Sequence, residues 1–141
     1  SVSVRSVTGL GLTWALVKAQ CAGRGQTRME VWKASGAPTG SGAVSATLSG
    51  TAANAAIAVS RYSGADGAAP LGAVVSANTL GASGSCAGGV DSAAYSASLQ
   101  GSTAGAVIYG AVAMRNRWRD FLPPGFEPPA TTKPPASIEW E

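Results

Sequence analysis

The chain of 141 residues contains no histidine and few charged or aromatic side chains, and these absences argue against several classes of function. Histidine is the commonest general base and the commonest metal ligand, so its absence counts against ordinary acid–base catalysis. The seven carboxylates are scattered, and two cysteines without a histidine do not make a zinc site. The ten basic residues are spread over the chain rather than clustered. We therefore expect no enzymatic activity, no cofactor and no nucleic-acid partner.

Long hydrophobic runs are also lacking, and no stretch approaches the roughly 18 apolar residues that would predict a membrane span. Alanine, glycine, serine and threonine together make up more than half of the chain. Small side chains bury little area each, so we expect a thin core that benefits from a covalent link.

Cys21 and Cys86 lie in two Gly-rich polar stretches, and we predict that they form this link as a disulfide. The alternative is a pair of free thiols in a reducing cell. Cysteines in exposed loops would be a liability there, so the disulfide is favoured, and it implies an oxidising compartment.

The stretch from Arg28 to Gly64 organises the predicted fold, because it reads as three consecutive strands with their turns. Alternation of apolar and polar residues predicts these strands at residues 29–33, 44–49 and 55–62. Further strands are predicted at residues 1–7, 10–20, 95–99 and 106–114, the last of them central because it is apolar on both faces. The stretch after the turn at Asp66-Gly67 is predicted to be loop, with an edge strand at residues 73–75 as the alternative. Trp32 is predicted to lie in the core. A helical interpretation of residues 52–59 is less favoured, because Gly, Thr and β-branched residues flank the alanines.

Short strands separated by turn signals, without a helical pattern, predict a two-sheet antiparallel β-sandwich over residues 1–119. Residues 120–141 form a different unit, because six of the eight prolines fall there. We predict an extended C-terminal arm, which can reach roughly 60 Å if about 20 residues approach polyproline II geometry. Ile138 and Trp140 share one face at strand spacing, which is typical of a strand added to a sheet edge, more favourably that of a neighbouring subunit.

A row of arginines precedes the arm, at Arg115, Arg117 and Arg119 around Trp118. At strand spacing these arginines share one face, where they could bind a row of carboxylates or a phosphate. The alternative is a solvated strand end whose charges protect an edge. We include all four residues in the predicted assembly interface, with a protein as the more favoured partner.

Asp66 and Asp91 are the remaining candidates for a ligand site, since each lies beside loop residues whose carbonyls could complete a calcium site. For Asp66 a turn at Asp66-Gly67 is the better interpretation. The sequence therefore predicts no metal.

The runs LTWALVKAQ, MEVWKASGAPTGSGAVSATLSG and AAIAVSRYSGADGAAPLGA together resemble a β-sandwich module. This module recurs in bacterial secreted and surface proteins and in phage structural proteins. The resemblance covers about Leu12 to Met114 and is carried by Glu30, Val31, Trp32, Ser63, Gly64, Asp66 and Pro70. It implies an immunoglobulin-like or jelly-roll sandwich without catalytic residues. The weak first strand departs from the pattern, as does the arm.

Together these features predict a non-enzymatic structural subunit of an extracellular or cell-surface assembly, a filament or surface layer, that packs through sheet edges and its arm. Its expected partners are copies of itself or another structural protein of the same assembly. One alternative is a phage virion, as a capsid decoration or tail protein. Another is a carbohydrate-binding or adhesive module, in which exposed Trp or Tyr side chains would bind a glycan.

Overall fold

The computed structural model describes residues 2–92, 94, 96–101 and 104–114, and within them the regular structure is entirely β. The strands are β1 (Val4–Gly9), β2 (Trp14–Cys21), β3 (Arg28–Ala34), β4 (Val44–Leu48), β5 (Ala77–Asn78) and β6 (Gly81–Ala82). They form three two-stranded sheets, which pair β1 with β4, β2 with β3 and β5 with β6. All three pairs are antiparallel, which confirms the all-β antiparallel character expected from the alternation.

The hairpin of β2 and β3 is the longest pair, and it runs from Trp14 opposite Ala34 to Cys21 opposite Arg28. Its turn closes through the Ala22 N–H, which donates to the Thr27 carbonyl at 2.8 Å. The register shifts between Leu16 and Lys18, so Val17 forms a β-bulge. A bulge reverses which face the following side chains occupy, so simple alternation along residues 10–20 does not describe both ends of β2.

The pair of β1 and β4 joins residues far apart in sequence, because the chain leaves β1, makes the β2–β3 hairpin and then returns as β4. The pairing is extended beyond the strands by the Ser49 N–H, which donates to the Ser3 carbonyl at 2.8 Å. Gly9, which ends β1, must lack a side chain, since an added Cβ would lie 2.3 Å from the Ala43 carbonyl oxygen.

The core of the described residues is small, as the composition predicts. Only Cys21, Gly23 and Asn78 are buried among them. The prediction that Trp32 is a core residue needs correction, because it is half-buried. Its strand β3 belongs to a sheet of two strands, and a sheet of that size built from small side chains cannot enclose an indole.

Two predicted strands are absent from the structure. Residues 55–62 and 106–114 adopt no regular secondary structure, and the helical alternative for residues 52–59 is absent as well. Residues 73–75 are loop, as the first interpretation expected, and do not form the alternative edge strand. Alternation gives a segment strand propensity, but a strand forms only where a second strand completes its hydrogen bonds. Within the described part of the chain these segments have no such partner strand. Of the strand predicted at residues 95–99, residues 96–99 are described and are not a strand, and the predicted boundary at residue 119 lies outside the described residues.

Candidate functional site

At the end of β2 a disulfide joins Cys21 to Cys86 across 65 residues with a Cα–Cα distance of 5.4 Å. This confirms the predicted pairing. Cys21 is buried as the last residue of β2, whereas Cys86 is exposed in the loop that follows the β5–β6 hairpin. The link therefore ties that loop to the β2–β3 sheet, and it indicates that the chain folds in an oxidising compartment.

Asn78, the last residue of β5, organises the loop around this disulfide. Its buried Nδ2 donates to the carbonyls of Cys21 at 2.9 Å, Gly84 at 3.0 Å and Ser85 at 3.0 Å. Its Oδ1 accepts from the Leu80 N–H at 2.8 Å. One amide thus joins the end of β2 to the residues that precede and follow β6.

Gln20 on β2 supports the same loop from the side. Its Nε2 donates to the carbonyls of Cys21 at 3.1 Å and Gly84 at 3.0 Å, and its Oε1 accepts from the Ser76 hydroxyl at 2.7 Å. Glycine is required at Gly84, where an added Cβ would lie 2.1 Å from Asn78 Oδ1. The region is a compact cluster in which the polar side chains of Gln20 and Asn78 form hydrogen bonds with neighbouring protein groups. It therefore offers few free polar groups to a ligand.

The two aspartates considered for calcium are engaged with the protein itself. Asp91 Oδ2 lies 2.7 Å from Arg24 Nη1 in an exposed ion pair. Asp66 Oδ1 accepts from the N–H groups of Ala68 at 2.7 Å and Ala69 at 3.0 Å. The bonds from Ala69 and Ala68 hold the pKa of Asp66 below its usual value. This is an Asx turn, so the structure supports the turn interpretation of Asp66.

Glu30 on β3 connects the two larger sheets. Its side chain is only 4% exposed, and Arg28 Nε donates to Oε1 at 2.5 Å. The Trp32 indole donates to Oε2 at 3.1 Å, and the Val4 N–H of β1 donates to Oε1 at 3.2 Å. Burial raises the pKa of Glu30, but the hydrogen bonds from Arg28, Val4 and Trp32 and the charge of Arg28 outweigh burial and lower the pKa below 4.5.

We expect Glu30→Gln to lower the free energy of unfolding by about 1 to 2 kcal/mol at about pH 7, because the carboxylate accepts charge-assisted bonds. The pKa of Glu30 is lower in the folded than in the unfolded chain. Its stabilisation is therefore present above the unfolded pKa and is lost as pH falls through the folded pKa. Urea unfolding of the parent chain and the variant at about pH 7 and about pH 3 measures the difference in unfolding free energy at each pH.

Asp91→Asn is the matched control for this experiment. It removes an exposed ion pair and should cost less than about 1 kcal/mol at either pH. The interpretation of Glu30 is contradicted if both variants lose equal stability, or if the deficit of Glu30→Gln persists unchanged in acid.

The largest group of exposed apolar side chains lies elsewhere, in residues 55–75 and 104–114, which we call the two apolar segments. Their large side chains are all exposed, from 43% at Val74 to 77% at Met114. These side chains are Ile57, Val59, Tyr62, Leu71, Val74, Val75, Val107, Ile108, Tyr109, Val112 and Met114. Extended groups of exposed apolar side chains are typical of interaction sites.

A contact between two tyrosines brings the apolar segments together. The ring centroids of Tyr62 and Tyr109 lie 6.5 Å apart with an interplanar angle of 78°, which is a favourable edge-to-face arrangement. Both rings remain more than half exposed. The contact fixes residue 62 beside residue 109, but it leaves most of each segment uncovered by other described residues.

The predicted interface residues Arg115, Arg117, Trp118, Arg119, Ile138 and Trp140 all lie outside the described residues, as does the predicted arm at 120–141. Among the described residues, each strand of the three sheets is paired on one side only, so open sheet edges are present. Sequence reasoning missed the apolar segments as a surface, because it assigned residues 55–62 to a strand of the sheet and residues 106–114 to a central strand. The sequence contains no charged residue from Ser92 to Met114, a feature that suits a core as well as an interface.

No family model, curated protein or solved structure gives a significant match to the chain. The resemblance to a β-sandwich module therefore stays a hypothesis. In the part of the chain that the structure describes, no helix has the length and apolar character needed to cross a membrane.

Proposed function

We propose that the chain is a non-enzymatic structural subunit of an extracellular or particle-surface assembly, in which it packs against copies of itself or another structural protein of that assembly. The observation that carries the proposal is the exposure of the two apolar segments, with Ile57 exposed by 58% and Val107 by 73%. Fully burying one such side chain contributes roughly 1.5 to 3 kcal/mol. A partner that covers both segments would therefore gain a large association energy.

The disulfide supports placing this assembly outside the cytoplasm, because such links persist in oxidising environments. A filament or surface layer on a cell is the first candidate, and a virion is the second. Electron microscopy of the purified protein distinguishes them by the shape and symmetry of the assembled particles.

The fold that we propose for the assembled subunit is an antiparallel β-sandwich of the immunoglobulin-like or jelly-roll kind. Two observations support it. The chain crosses from the β1–β4 sheet to the β2–β3 sheet and back, as in the two layers of a sandwich. Glu30 of β3 accepts from the Val4 N–H of β1, which holds the two sheets together. The apolar segments would add the strands that the two small sheets lack.

The arm supplies the second contact in this proposal. Ile138 and Trp140 would add a strand to an open sheet edge of a neighbouring subunit, where backbone hydrogen bonds provide affinity and the two side chains fill pockets. The reach of roughly 60 Å for about 20 extended residues makes a neighbour accessible.

We expect the full chain to form oligomers or polymers, and deletion of residues 122–141 to leave a folded chain with an intact disulfide that no longer assembles. Multi-angle light scattering gives the masses, and circular dichroism with alkylation of free thiols checks the fold. Trp140→Ala alone should weaken assembly because it removes the largest apolar group of the added strand.

Glu139→Ala is the matched control, since residue 139 would lie on the opposite face of the added strand and its replacement should leave assembly unchanged. If the truncated chain assembles as well as the full chain, the arm has no role in assembly. If the full chain is monomeric at every concentration tested, the proposed function itself is wrong.

Glycan binding is a second candidate function, because Tyr62 and Tyr109 form an exposed aromatic pair. Aromatic faces bind the apolar faces of sugars, but two rings at 78° do not make a flat platform, so this site would take one sugar ring rather than an extended chain. A glycan array decides the matter, with Tyr62→Ala as the negative control. Structural assembly is favoured because the rings form only a small part of the exposed apolar surface.

A further inference from the structure

The second apolar segment contains a stretch, residues 106–114, that has the properties of an unprotected strand edge. None of its backbone groups forms a hydrogen bond with another described residue. It contains no charged residue and no proline, and the nearest charged residues in the sequence are Asp91 upstream and Arg115 immediately downstream. Natural edge strands usually carry charges, prolines or bulges that prevent pairing with another chain. Residues 106–114 have none of these protections.

Large apolar side chains are exposed on both faces of this stretch. In an extended chain Val107 and Tyr109 lie on one face, and Ile108 and Val112 lie on the other. All four are more than half exposed. A binding partner must therefore provide both neighbouring strands and apolar cover.

One residue of the stretch already has a neighbour in the same chain, because the rings of Tyr109 and Tyr62 are in contact. The backbone of the stretch pairs with no strand among the described residues. The order of residues along it suggests what pairs with it.

Residues 106–114 are close to self-complementary about Gly110. If two copies run antiparallel with Gly110 opposite Gly110, Ile108 faces Val112 and Tyr109 faces Ala111, so β-branched residues meet and the largest side chain meets a small one. A register centred on Tyr109 would instead place two tyrosines on the axis and Ile108 opposite glycine. The absence of charge also removes any repulsion between identical copies.

We infer that residues 106–114 pair antiparallel with the same residues of a second copy of this chain, across a two-fold axis at Gly110. This rests on the proposed function and names its first contact. In the inferred dimer, residues 55–62 of each copy, which approach the stretch at Tyr62, extend this pair to a sheet of four strands. Two strands alone are marginally stable in water, whereas a sheet of three or more strands with an apolar face is stable. Association therefore orders segments that are unpaired in the single chain.

Gly110→Cys tests the axis directly. An added Cβ at residue 110 meets no atom within 4 Å, and Gly110 is not among the glycines with positive φ, so the variant is expected to fold. Both native cysteines are joined to each other, which leaves the new thiol as the reactive one. Residues directly opposite in an antiparallel pair have Cα atoms about 4.5 to 5.5 Å apart, so mild oxidation should link two copies.

Ala106→Cys is the matched control on the same exposed stretch. In the inferred register residue 106 of one copy faces Met114 of the other copy. The two residues 106 are then about eight residues apart along the strand pair, or about 26 Å at about 3.3 Å for each residue. We expect most of the Gly110→Cys protein to run as a dimer on a non-reducing gel and the Ala106→Cys protein to run as a monomer. Mass spectrometry should show residue 110 linked to residue 110 with the Cys21–Cys86 link intact.

A second variant keeps the test independent of Gly110. In a chain that carries both Val107→Cys and Ala113→Cys, the cysteine at 107 of one copy faces the cysteine at 113 of the other copy. The two new cysteines of a single chain lie about 20 Å apart and cannot join each other. The inferred register is overturned if Ala106→Cys links as readily as Gly110→Cys. It is also overturned if neither Gly110→Cys nor the double variant links while the parent chain self-associates in light scattering, a result that leaves the proposed function standing. A monomeric parent chain overturns both.

Discussion

Replacing Cys21 and Cys86 together with serine is expected to lower the free energy of unfolding by about 4 kcal/mol. The disulfide closes a loop with a sequence separation of 65 residues, and the entropy that it removes from the unfolded chain grows with loop length. A small domain is stable by about 5 to 15 kcal/mol, and this one has a thin core. The variant should therefore be close to unfolding at room temperature.

Urea unfolding of the parent chain and the double variant gives this difference, and reductant supplies the control. Reduced parent protein should unfold at the midpoint of the double variant, whereas the double variant itself should not respond to reductant. Alkylation followed by mass measurement must find no free thiol in the oxidised parent. A difference below about 1 kcal/mol would show that the loop is held by its hydrogen bonds and not by the covalent link.

The parts of the fold that the sequence predicts are those set by neighbours along the chain. Residues 28–34 alternate, a short polar turn precedes them, and residues 14–21 supply a strand of matching length, so the β2–β3 hairpin follows from local pattern. The pairing of Cys21 with Cys86 was predictable for another reason, since two cysteines allow only one intrachain disulfide. The bulge at Val17 was not predictable, because nothing in its side chain marks it.

Other features depend on contacts that local pattern does not record. Asn78 occurs in a stretch that reads as loop, and its burial follows from three carbonyls that only the folded chain brings together. Residues 55–62 and 106–114 alternate or are apolar like true strands, and the sequence pattern is the same whether the pairing strand comes from this chain or from another. This is why sequence reasoning placed them in a core, although their side chains are exposed. The missing charge between Ser92 and Met114 does not separate the two cases, because an uncharged strand is suited both to a core and to an interface.

Asn78 offers the sharpest test of the hydrogen-bonded cluster around the disulfide, because its two Nδ2 hydrogens are shared among three carbonyls and its Oδ1 is an acceptor. Asn78→Ala is expected to cost about 1 to 3 kcal/mol, since these carbonyls lose a donor. In this variant Gln20 Nε2 still donates to the carbonyls of Cys21 and Gly84. The Ser85 carbonyl loses the hydrogen bond from Asn78 without such a replacement, so it accounts for most of the lost stability.

Asn78→Asp separates the donor role of this residue from its shape. The carboxylate has nearly the same size and can still accept from the Leu80 N–H, but it faces three carbonyl oxygens with no hydrogen to donate. We therefore expect Asn78→Asp to be less stable than Asn78→Ala at about pH 7 and to regain part of the difference in acid, where a neutral carboxyl recovers one donor. Urea unfolding of both variants at the two pH values gives the order. If Asn78→Asp matched the parent protein at neutral pH, the amide would not be the donor that joins β2 to the β5–β6 hairpin.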